Sequence, residues 1–467
     1  MKTEKITGYI NYRKEEHIFI LENYVLNLVP STSERLVEYR VTLVFDPLTK
    51  RKSNGFLEDL ILEGIQMDGK RINICIQDNP SYKNGVFSYK VKWFYIYNQN
   101  VDDVKIKGIN FVSPEINYIY STKRYIKDDF DLKDGLFNNY SLEIQGLDRQ
   151  LLGNFKYNNK RIKIYGSMSW KRKYNDFSIF EMWSKLVLEF NKETDDLNCL
   201  YNIVILQKYV IDFLTYRNNN SFDTIETYSV NENNKQYITG KFYIDFEKDI
   251  ESDPEKIKHL IVADNIKKFG NIYELINSNI IYLSHICDSS DKRKVYGPQR
   301  MLSILIAFER FFNSKFDDKE IRDDKYLIML EKVIEHLKNE KDIILDGLEA
   351  SGRYNKFVKK ISKVEVDYAS RLRYVINKYP ICISYINSIY NLKSNNKLIN
   401  TITERIGKLR NDMAHGNTNI NFTSENTKDL KFMEVLFYII ILSELEVEDK
   451  EIINKINWLF NISVFMQ

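Results

Sequence analysis

The chain has 467 residues, of which 43% are hydrophobic, so it is long enough for two or three domains with cores of their own. Its 68 basic and 65 acidic residues leave a formal net charge of only +3, which excludes a protein that binds nucleic acid through a global positive field. The four cysteines, Cys75, Cys199, Cys287 and Cys382, lie far apart with no metal-binding spacing, which predicts buried reduced thiols and no metal or cofactor.

The N-terminal half, from Gly8 to about Phe246, is dominated by short runs of β-branched and aromatic residues that alternate with turn signals. The runs include residues 40–45, 87–94 and 161–165, and the turn signals include Asp68-Gly69, Asn84-Gly85 and Asn158-Asn159. Residues 195–216 depart from this pattern, because apolar residues recur there at helical spacing. We therefore predict a β-rich domain over residues 1–246, with one helix near 195–216 packed on its sheets.

A polar stretch at 247–255, which contains Ser252-Asp253-Pro254, is typical of a linker that leads into a helix. Strand-like alternation nearly disappears beyond it. We predict a linker with connecting helices over 247–296 and an all-α domain over 297–467, so the fold class is α+β and multidomain. The candidate helices are 256–269, 271–286, 297–316, 322–350, 353–378, 396–410, 427–446 and 449–460, with a break at Pro380.

The helix predicted at 297–316 carries a carboxylate within its apolar stripe. Leu302, Leu305, Phe312 and Phe316 form the stripe, and Glu309 fills the heptad position between Leu305 and Phe312. An unpaired ionised carboxylate on a buried face costs several kcal/mol, so Glu309 should be paired, hydrogen-bonded or protonated.

The simplest partner for Glu309 is Arg410, or else Arg371 or Arg373. A structural ion pair explains a carboxylate at this position about as well as a catalytic role does.

Residues 409–416 read Leu-Arg-Asn-Asp-Met-Ala-His-Gly and place Arg410 and Asn411 shortly before His415, one of only five histidines. A cation that keeps its proton, beside a residue type that titrates near neutral pH, is what metal-free cleavage of a phosphodiester requires. His415 would transfer protons, and Arg410 would bind the charge that grows on the phosphoryl oxygens. Asn411 would orient the imidazole or donate to the phosphate.

On a regular helix Asn411 and His415 share a face, whereas Arg410 lies about 140° away from His415. The site would therefore need a position where a loop enters a helix, or completion by the same motif from a second subunit. A structural alternative is a helix-terminal cluster in which Arg410 and His415 complement the C-terminal dipole and Gly416 ends the helix.

Residues 408–416 resemble the Arg-polar-x-x-x-His motif of the HEPN superfamily, all-helical domains that include many RNA-cutting toxins and defence nucleases. Residues 304–312 resemble the first helix of the HEPN domain of the ApeA family. Ser370-Arg371-Leu372-Arg373 is similar to an Arg-Leu element midway through that domain. The β-rich half resembles the N-terminal domain of the same family, without a diagnostic motif.

The resemblance implies a C-terminal HEPN helical bundle and a metal-independent endoribonuclease that cuts tRNA in abortive anti-phage defence. It places Arg410, Asn411, His415 and Glu309 at the site, in a homodimer formed through the HEPN domain. The expected products are 2′,3′-cyclic phosphate and 5′-hydroxyl ends, and a phage-derived trigger would act at the N-terminal domain. Two alternatives stay open: a catalytically silent HEPN module that binds RNA or nucleotide, and a dimerisation scaffold.

Several further patterns carry weaker expectations. The start of the chain has no apolar leader, and the longest apolar run, residues 435–442, is too short to span a bilayer, so we expect a soluble cytoplasmic protein. Basic and aromatic residues mix at 156–161 and 170–174, as in single-strand RNA binders, although such runs are usually solvated turns. The other histidines show no partner spacing and should lie in the core or on the surface; they are His17, His259, His285 and His336.

Overall fold

The structure is a computed structural model that describes residues 5–30, 59–77, 80–83, 86–98, 104–121, 123, 126–133, 136–144, 149–171, 181–246, 254–321, 324–346, 351–362, 366–416 and 421–464. The chain forms two compact units: Met1–Asp264 with Lys268–Glu274, and Asn265–Lys267 with Leu275–Gln467. The first unit is β-rich and the second is helical, which confirms the α+β class. The division falls inside the segment 247–296 that the sequence predicts to be connecting.

The strands of the first unit are β1 (Ile6–Tyr12), β2 (Glu15–Glu22), β3 (Val25–Pro30), β4 (Asp59–Gln66), β5 (Arg71–Gln77), β6 (Ser81–Lys83), β7 (Val86–Tyr97), β8 (Ile106–Val112), β9 (Ile126–Lys133), β10 (Leu136–Ile144), β11 (Gln150–Tyr157), β12 (Lys160–Lys171), β13 (Glu181–Thr194), β14 (Thr224–Val230) and β15 (Gln236–Ile244). Its helices include α1 (Ile116–Ile119) and α2 (Leu197–Thr215).

Antiparallel strands close into a barrel in the order β7-β3-β2-β1-β4-β5 and back to β7. The barrel closes because the first half of β7 pairs with β3 and its second half pairs with β5. Two-residue turns with both φ angles positive, Arg13-Lys14 and Asn23-Tyr24, connect β1 to β2 and β2 to β3, and this turn geometry matches the twist of the strands. The barrel core is built from buried side chains that include Phe19, Leu26, Leu28, Ile72, Ile74, Phe87 and Phe94.

An open sheet continues from β7 through β15, β14, β8, β13, β12 and β11, and β9 pairs with β10 separately. Helix α2 begins at the N-cap Asp196, whose side chain accepts a hydrogen bond from the Cys199 N–H. Its Tyr201 ring stacks on Trp93 of β7 at 6.1 Å between centroids. By length and composition α2 could cross a membrane, but 67% of its apolar window is buried, as in a core helix.

Most of the predicted elements of the first unit that can be checked are confirmed. Residues 87–94 lie in β7, residues 161–165 lie in β12, and the helix near 195–216 is α2. Asp68-Gly69 and Asn158-Asn159 form turns, with positive φ at Gly69 and at both asparagines. The strand predicted at 40–45, the turn Asn84-Gly85 and residues 247–253 of the predicted linker lie outside the described residues.

Helix α3 (Phe269–Asn277) contributes to both units. The other helices of the second unit are α4 (Pro298–Lys315), α5 (Asp324–Asn339), α6 (Lys341–Leu345), α7 (Ser351–Ser362), α8 (Tyr368–Lys378), α9 (Ile381–Tyr390), α10 (Asn396–Ala414), α11 (Ser424–Glu444) and α12 (Asp449–Phe460). Short 3-10 turns occupy Pro254–Lys258, Asp291–Lys294 and Asp318–Glu320.

Helix α11 is the centre of the second unit, because it is apolar and buried on nearly all sides from residue 432 to residue 442. Helices α4, α9 and α12 pack on it, and α8 packs on α10. Two carboxylates on α11 are buried and paired: Glu434 binds Arg300 of α4, and Asp429 binds Arg405 of α10. These pairs tie α4 and α10 to the central helix.

Several helix predictions need correction. Residues 256–269 contain only the end of a 3-10 turn before α3 begins at Phe269, and α3 ends at Asn277 rather than at 286. The helix predicted at 322–350 is divided into α5 and α6, and the helix predicted at 353–378 is divided into α7 and α8. The predicted break at Pro380 is confirmed, because α8 ends at Lys378, but the helix that follows was not predicted: Pro380 is the N-cap of α9, and its φ of −57° suits the start of a helix, where no N–H is required. Helix α10 continues to Ala414 rather than ending at 410, so the Arg-Asn-x-x-x-His segment lies on its last turn.

Candidate active site

Helix α4 positions Glu309. It begins at the N-cap Gly297 with Pro298 at its first position, and its buried face consists of Met301, Ile304, Leu305, Ala307, Phe308, Phe311 and Phe312. The Glu309 side chain is 26% exposed, so it borders this face and does not lie within it as predicted. The carboxylate is therefore held against the core while part of it still reaches solvent.

Helix α10 positions Arg410, Asn411 and His415. Its N-cap Asn395 accepts a hydrogen bond from the Leu398 N–H, and buried residues such as Ile402 and Ile406 fix its inner face. Gly407 lies against Ala369 of α8, and a Cβ built on it would stand 3.4 Å from the Ala369 Cβ and backbone nitrogen, which is an ordinary van der Waals contact. Helices α10 and α8 thus pack against each other just before the candidate residues.

Arg410 and Glu309 form an ion pair between α10 and α4. The Arg410 Nη2 donates to Glu309 Oε2 at 2.8 Å and to Oε1 at 3.0 Å, which confirms the predicted partner. The Arg410 Nη1 donates to Asn411 Oδ1 at 3.4 Å, and the Arg410 side chain remains 31% exposed. One edge of the guanidinium is thus fixed by Glu309, and the rest lies towards solvent.

A second arginine, Arg371 of α8, stands behind this pair. Its Nη1 lies 3.7 Å from Glu309 Oε1, and its Nη2 donates to Asp318 Oδ2 at 3.0 Å. The Arg371 guanidinium also lies 5.4 Å from the centre of the Phe312 ring and is largely buried. The charges therefore alternate along a chain from Asp318 through Arg371 and Glu309 to Arg410.

Tyr368, also on α8, closes the inner side of the cluster. Its hydroxyl donates to the Leu305 carbonyl of α4 at 3.2 Å. Burial, and then the nearby Glu309 carboxylate, raise the pKa of Tyr368 well above its ordinary value. The phenol therefore stays neutral and serves as a fixed hydrogen-bond donor.

His415 is the C-cap residue of α10. Its N–H bonds to the Asn411 carbonyl at 3.0 Å, so Asn411 and His415 lie one turn apart as predicted. Gly416 follows with φ of +73°, a left-handed conformation that ends the helix at little cost only for glycine. The motif thus sits where the helix ends and not where a loop enters one.

The imidazole of His415 is exposed, and within the described residues no side chain forms a hydrogen bond with it. No hydrogen bond or ion pair joins it to Arg410 in the part of the chain that the structure describes. A single chain therefore presents a fixed cation and an exposed imidazole at the end of one helix, without direct contact between them.

The remaining histidines lie where the sequence analysis placed them. His17 and His285 are buried, His259 is half-buried and His336 is exposed. Burial lowers the pKa of His285 to about 3, which keeps it neutral.

The cysteines do not add a reactive group to the site. All four are buried and unbridged, as predicted, and burial raises the pKa of the Cys75 and Cys287 thiols to about 12. Among the described residues, His, Cys, Asp and Glu side chains form no group of three or more that could hold a metal ion.

The basic and aromatic mixture at 156–161 is a hairpin turn between β11 and β12. Asn158 and Asn159 form the turn, Arg161 Nε donates to Asn154 Oδ1 at 3.1 Å, and Lys160 Nζ donates to Thr194 Oγ1 at 2.9 Å. These contacts within the first unit match the solvated-turn alternative. In the second mixture Trp170 is exposed, and residues 172–174 lie outside the described residues.

Sequence reasoning did not find Asp318 or Tyr368 as members of the site cluster. Asp318 lies in a short turn after α4, and Tyr368 follows the N-cap of α8, where Asp367 accepts from the Ser370 N–H. The only sequence signal for either was the Arg371-Leu372 element, which marks the helix on which Tyr368 also lies.

No family model matches this sequence, and no curated protein or solved structure matches it either.

Proposed function

We propose that this protein is a metal-independent endoribonuclease of the HEPN type, similar to the ApeA family. The observation that carries the proposal is the held arginine: Nη2 of Arg410 bonds to both oxygens of Glu309, while the side chain stays 31% exposed near an exposed His415. An arginine anchored on one edge keeps its remaining donors aimed at one place, which is what binding of a phosphate requires. A histidine with no competing partner among the described residues is available for proton transfer.

In the proposed reaction an RNA 2′-hydroxyl attacks the adjacent phosphorus and the bond to the 5′-oxygen breaks. The proton of the 2′-hydroxyl passes to an imidazole, and the departing 5′-oxygen receives a proton, so the products are a 2′,3′-cyclic phosphate and a 5′-hydroxyl. Arg410 stabilises the charge on the phosphoryl oxygens as it grows. Asn411, one turn before His415, orients the imidazole or donates to the phosphate.

A homodimer formed through the helical unit would supply a second copy of the same groups. Within one described chain Arg410 and His415 make no direct contact, and one imidazole cannot be base and acid in the same step. A two-fold axis would bring two Arg410 and His415 sets to one cleft, so that one imidazole accepts the first proton while the other donates. Glu309 then acts by holding Arg410 and does not touch RNA.

The biological setting rests on the resemblance alone. It supports abortive anti-phage defence in the cytoplasm, with tRNA as substrate and a phage-derived trigger at the β-rich unit.

The test is to sequence RNA 5′ and 3′ ends from cells that express the wild type, His415→Gln or the matched control His336→Gln, with and without phage. His336 is an exposed histidine on α5, remote in sequence from the motif. We expect new 5′-hydroxyl and cyclic-phosphate ends in the wild type and the control, and a loss of about 10²- to 10⁴-fold in His415→Gln.

Identical RNA ends in all three strains, with phage resistance that still requires the protein, would overturn the nuclease proposal. The silent RNA-binding module would then be favoured, since the lack of contact between Arg410 and His415 in one chain also suits binding without proton transfer.

A further inference from the structure

Helices α5, α6 and α7 form a hairpin within the second unit, in the segment between Asp318 and Tyr368 of the site cluster. Tyr354 and Val358 of α7 are buried, and the Tyr354 hydroxyl donates to the Leu337 carbonyl of α5. The amphipathic spacing of α7 thus places one face against α5 and leaves the other exposed.

A cavity of about 320 Å³ opens between the three helices, and three lysines line it. Lys338 comes from α5, Lys341 opens α6, and Lys359 comes from α7. The other lining residues are Ile334, Tyr354, Asn355 and Val358, so among the residues that the structure describes no carboxylate contributes to the wall. Within the described residues neither Lys338 nor Lys341 forms an ion pair.

Like charges repel, so the convergence of lysines from three helices on one cavity, with Lys338 and Lys341 outside any ion pair among the described residues, favours an anion as its occupant. The Asn355 amide and the Tyr354 hydroxyl also line the cavity and add polar contacts without adding negative charge. A phosphate group, which carries negative charge and several acceptor oxygens, matches this lining.

The exposed face of α7 extends the positive charge beyond the cavity. The exposed residues Arg353 and Lys356 belong to it, and none of the twelve residues of α7 is acidic. Phe357 lies among them with 53% of its surface exposed, although an aromatic ring of this size is usually buried in a soluble helix. A basic face that also exposes an aromatic ring is the combination by which proteins hold single-stranded nucleic acid, through phosphate contacts and base stacking.

We propose that this basic surface, formed by Lys338, Lys341, Lys359, Arg353, Lys356 and Phe357, binds the phosphate backbone of an unpaired RNA segment. The lysines of the cavity hold one phosphate, the α7 cations contact its neighbours, and Phe357 stacks on a base. This inference rests on the proposed function, because the RNA held here is the nuclease substrate, gripped outside the bond that is cut.

The test measures RNA binding in the non-cleaving His415→Gln background, so that affinity is read without cleavage. A fluorescein-labelled uridine oligonucleotide and unfractionated tRNA are titrated by anisotropy at several KCl concentrations. Replacing Lys338, Lys341 and Lys359 together by Gln should lower the slope of log Kd against log salt by about 0.7, because the contact with one phosphate is lost.

Phe357→Ala should weaken binding roughly 5- to 100-fold at one salt concentration while leaving that slope unchanged. The matched control is Lys332→Gln, an exposed lysine of α5 that does not line the cavity. It removes one positive charge from the same hairpin and should change neither the affinity nor the slope appreciably. Far-UV circular dichroism and thermal melts of each variant verify that the exposed substitutions leave the fold intact.

The triple variant separates this inference from the nuclease proposal. If it binds both RNAs as the control does, the inference is overturned, even when His415-dependent cleavage is observed. If binding depends on the lysines but the wild type never cuts RNA, the RNA-binding surface is supported and the nuclease proposal is overturned. Unchanged RNA affinity with lysine-dependent binding to phosphatidylserine vesicles would also overturn it and assign the basic helix to a membrane surface.

Discussion

Helix α4 contributes one residue to each of two arginine–glutamate pairs, Arg300–Glu434 and Arg410–Glu309. The two pairs differ in their burial and in their hydrogen bonds. Arg300 donates Nε and Nη2 to the two oxygens of Glu434 at 2.6 and 2.9 Å. Its Nη1 donates to the carbonyls of Lys292, Arg293 and Val295. The Arg300 and Glu434 side chains are 12% and 2% exposed. Every guanidinium nitrogen of this saturated pair therefore makes at least one hydrogen bond.

The Arg410–Glu309 pair is more exposed and uses fewer guanidinium donors, so it forms an open pair by comparison. Only Nη2 of Arg410 bonds to Glu309, Nη1 makes a long contact with Asn411, and the two charged side chains are 31% and 26% exposed. The saturated pair holds α4 on α11, whereas the open pair leaves guanidinium donors facing solvent. Burial and the number of used donors thus distinguish a structural arginine from one that can bind a phosphate.

The largest expected effect comes from breaking the saturated pair. Arg300→Met leaves the Glu434 carboxylate buried without its partner, so we expect a loss of about 3–5 kcal/mol in the free energy of unfolding. Urea denaturation followed by far-UV circular dichroism measures it. The double variant Arg300→Met/Glu434→Leu should regain most of the loss, because no uncompensated charge remains. A single variant as stable as the wild type would show that the pair is not structural.

Arg410→Lys tests the open pair. Lysine keeps the charge but lacks the planar fork, so cleavage should fall about 10²- to 10³-fold. The free energy of unfolding should change by less than about 1 kcal/mol, because both partners are partly exposed and screened by solvent. Single-turnover cleavage and urea denaturation of the same sample give both values. A stability loss as large as that of Arg300→Met would make Arg410 a second structural arginine.

A buried histidine near the Arg300–Glu434 pair also predicts that the free energy of unfolding depends on pH. His285 lies near Arg300, and burial, followed by that cation, holds the pKa of its imidazole at about 3 in the folded chain. The unfolded chain binds this proton below about pH 6.5, so the free energy of unfolding should fall as pH drops from about 6.5 towards 3, by at most about 1.4 kcal/mol per pH unit.

Urea denaturation at about pH 7, 6 and 5 measures this dependence. His285→Gln cannot take up the proton, so its stability should vary less over that range. An equal slope in both proteins would assign the pH dependence to other groups.

The smallest effect is expected from loosening the open pair without removing its arginine. Glu309→Gln keeps a hydrogen-bond acceptor for Arg410 but removes the charge, so kcat should fall roughly 10-fold with little change in KM. The matched control is Glu404→Gln on α10, which removes a surface carboxylate 3.8 Å from Arg373. A loss of binding in place of rate would show that Glu309 contacts RNA and is not a positioning residue.

A cationic partner for Glu309 could be predicted from sequence because a carboxylate beside an apolar stripe needs a cation, with Arg410 as the simplest candidate and Arg371 or Arg373 as alternatives. The β-rich half, the helical half and helix α2 could be predicted from apolar periodicity, because each is a repeated local pattern. The position of Glu309 at the border of the buried face could not be predicted from the sequence. It depends on which helices cover α4, and heptad spacing alone does not contain that information.

The elements that were missed depend on contacts between distant segments. Asp318 joins the cluster only because the turn after α4 meets Arg371 of α8. Helix α9 was missed because a proline in a sequence was taken to end one helix, although the same fixed φ also suits the start of the next. The region 256–269 is apolar enough for a helix, yet its backbone bonds elsewhere, as when the Ile261 N–H donates to the Leu214 carbonyl at 2.8 Å.

Strand β7 belongs to the barrel and to the open sheet at once. Its first half pairs with β3, and its second half pairs with both β5 and β15. Opening this strand would break the ring and the sheet together. Its amides should therefore exchange with solvent only through global opening of the first unit, which would make that unit a single cooperative body.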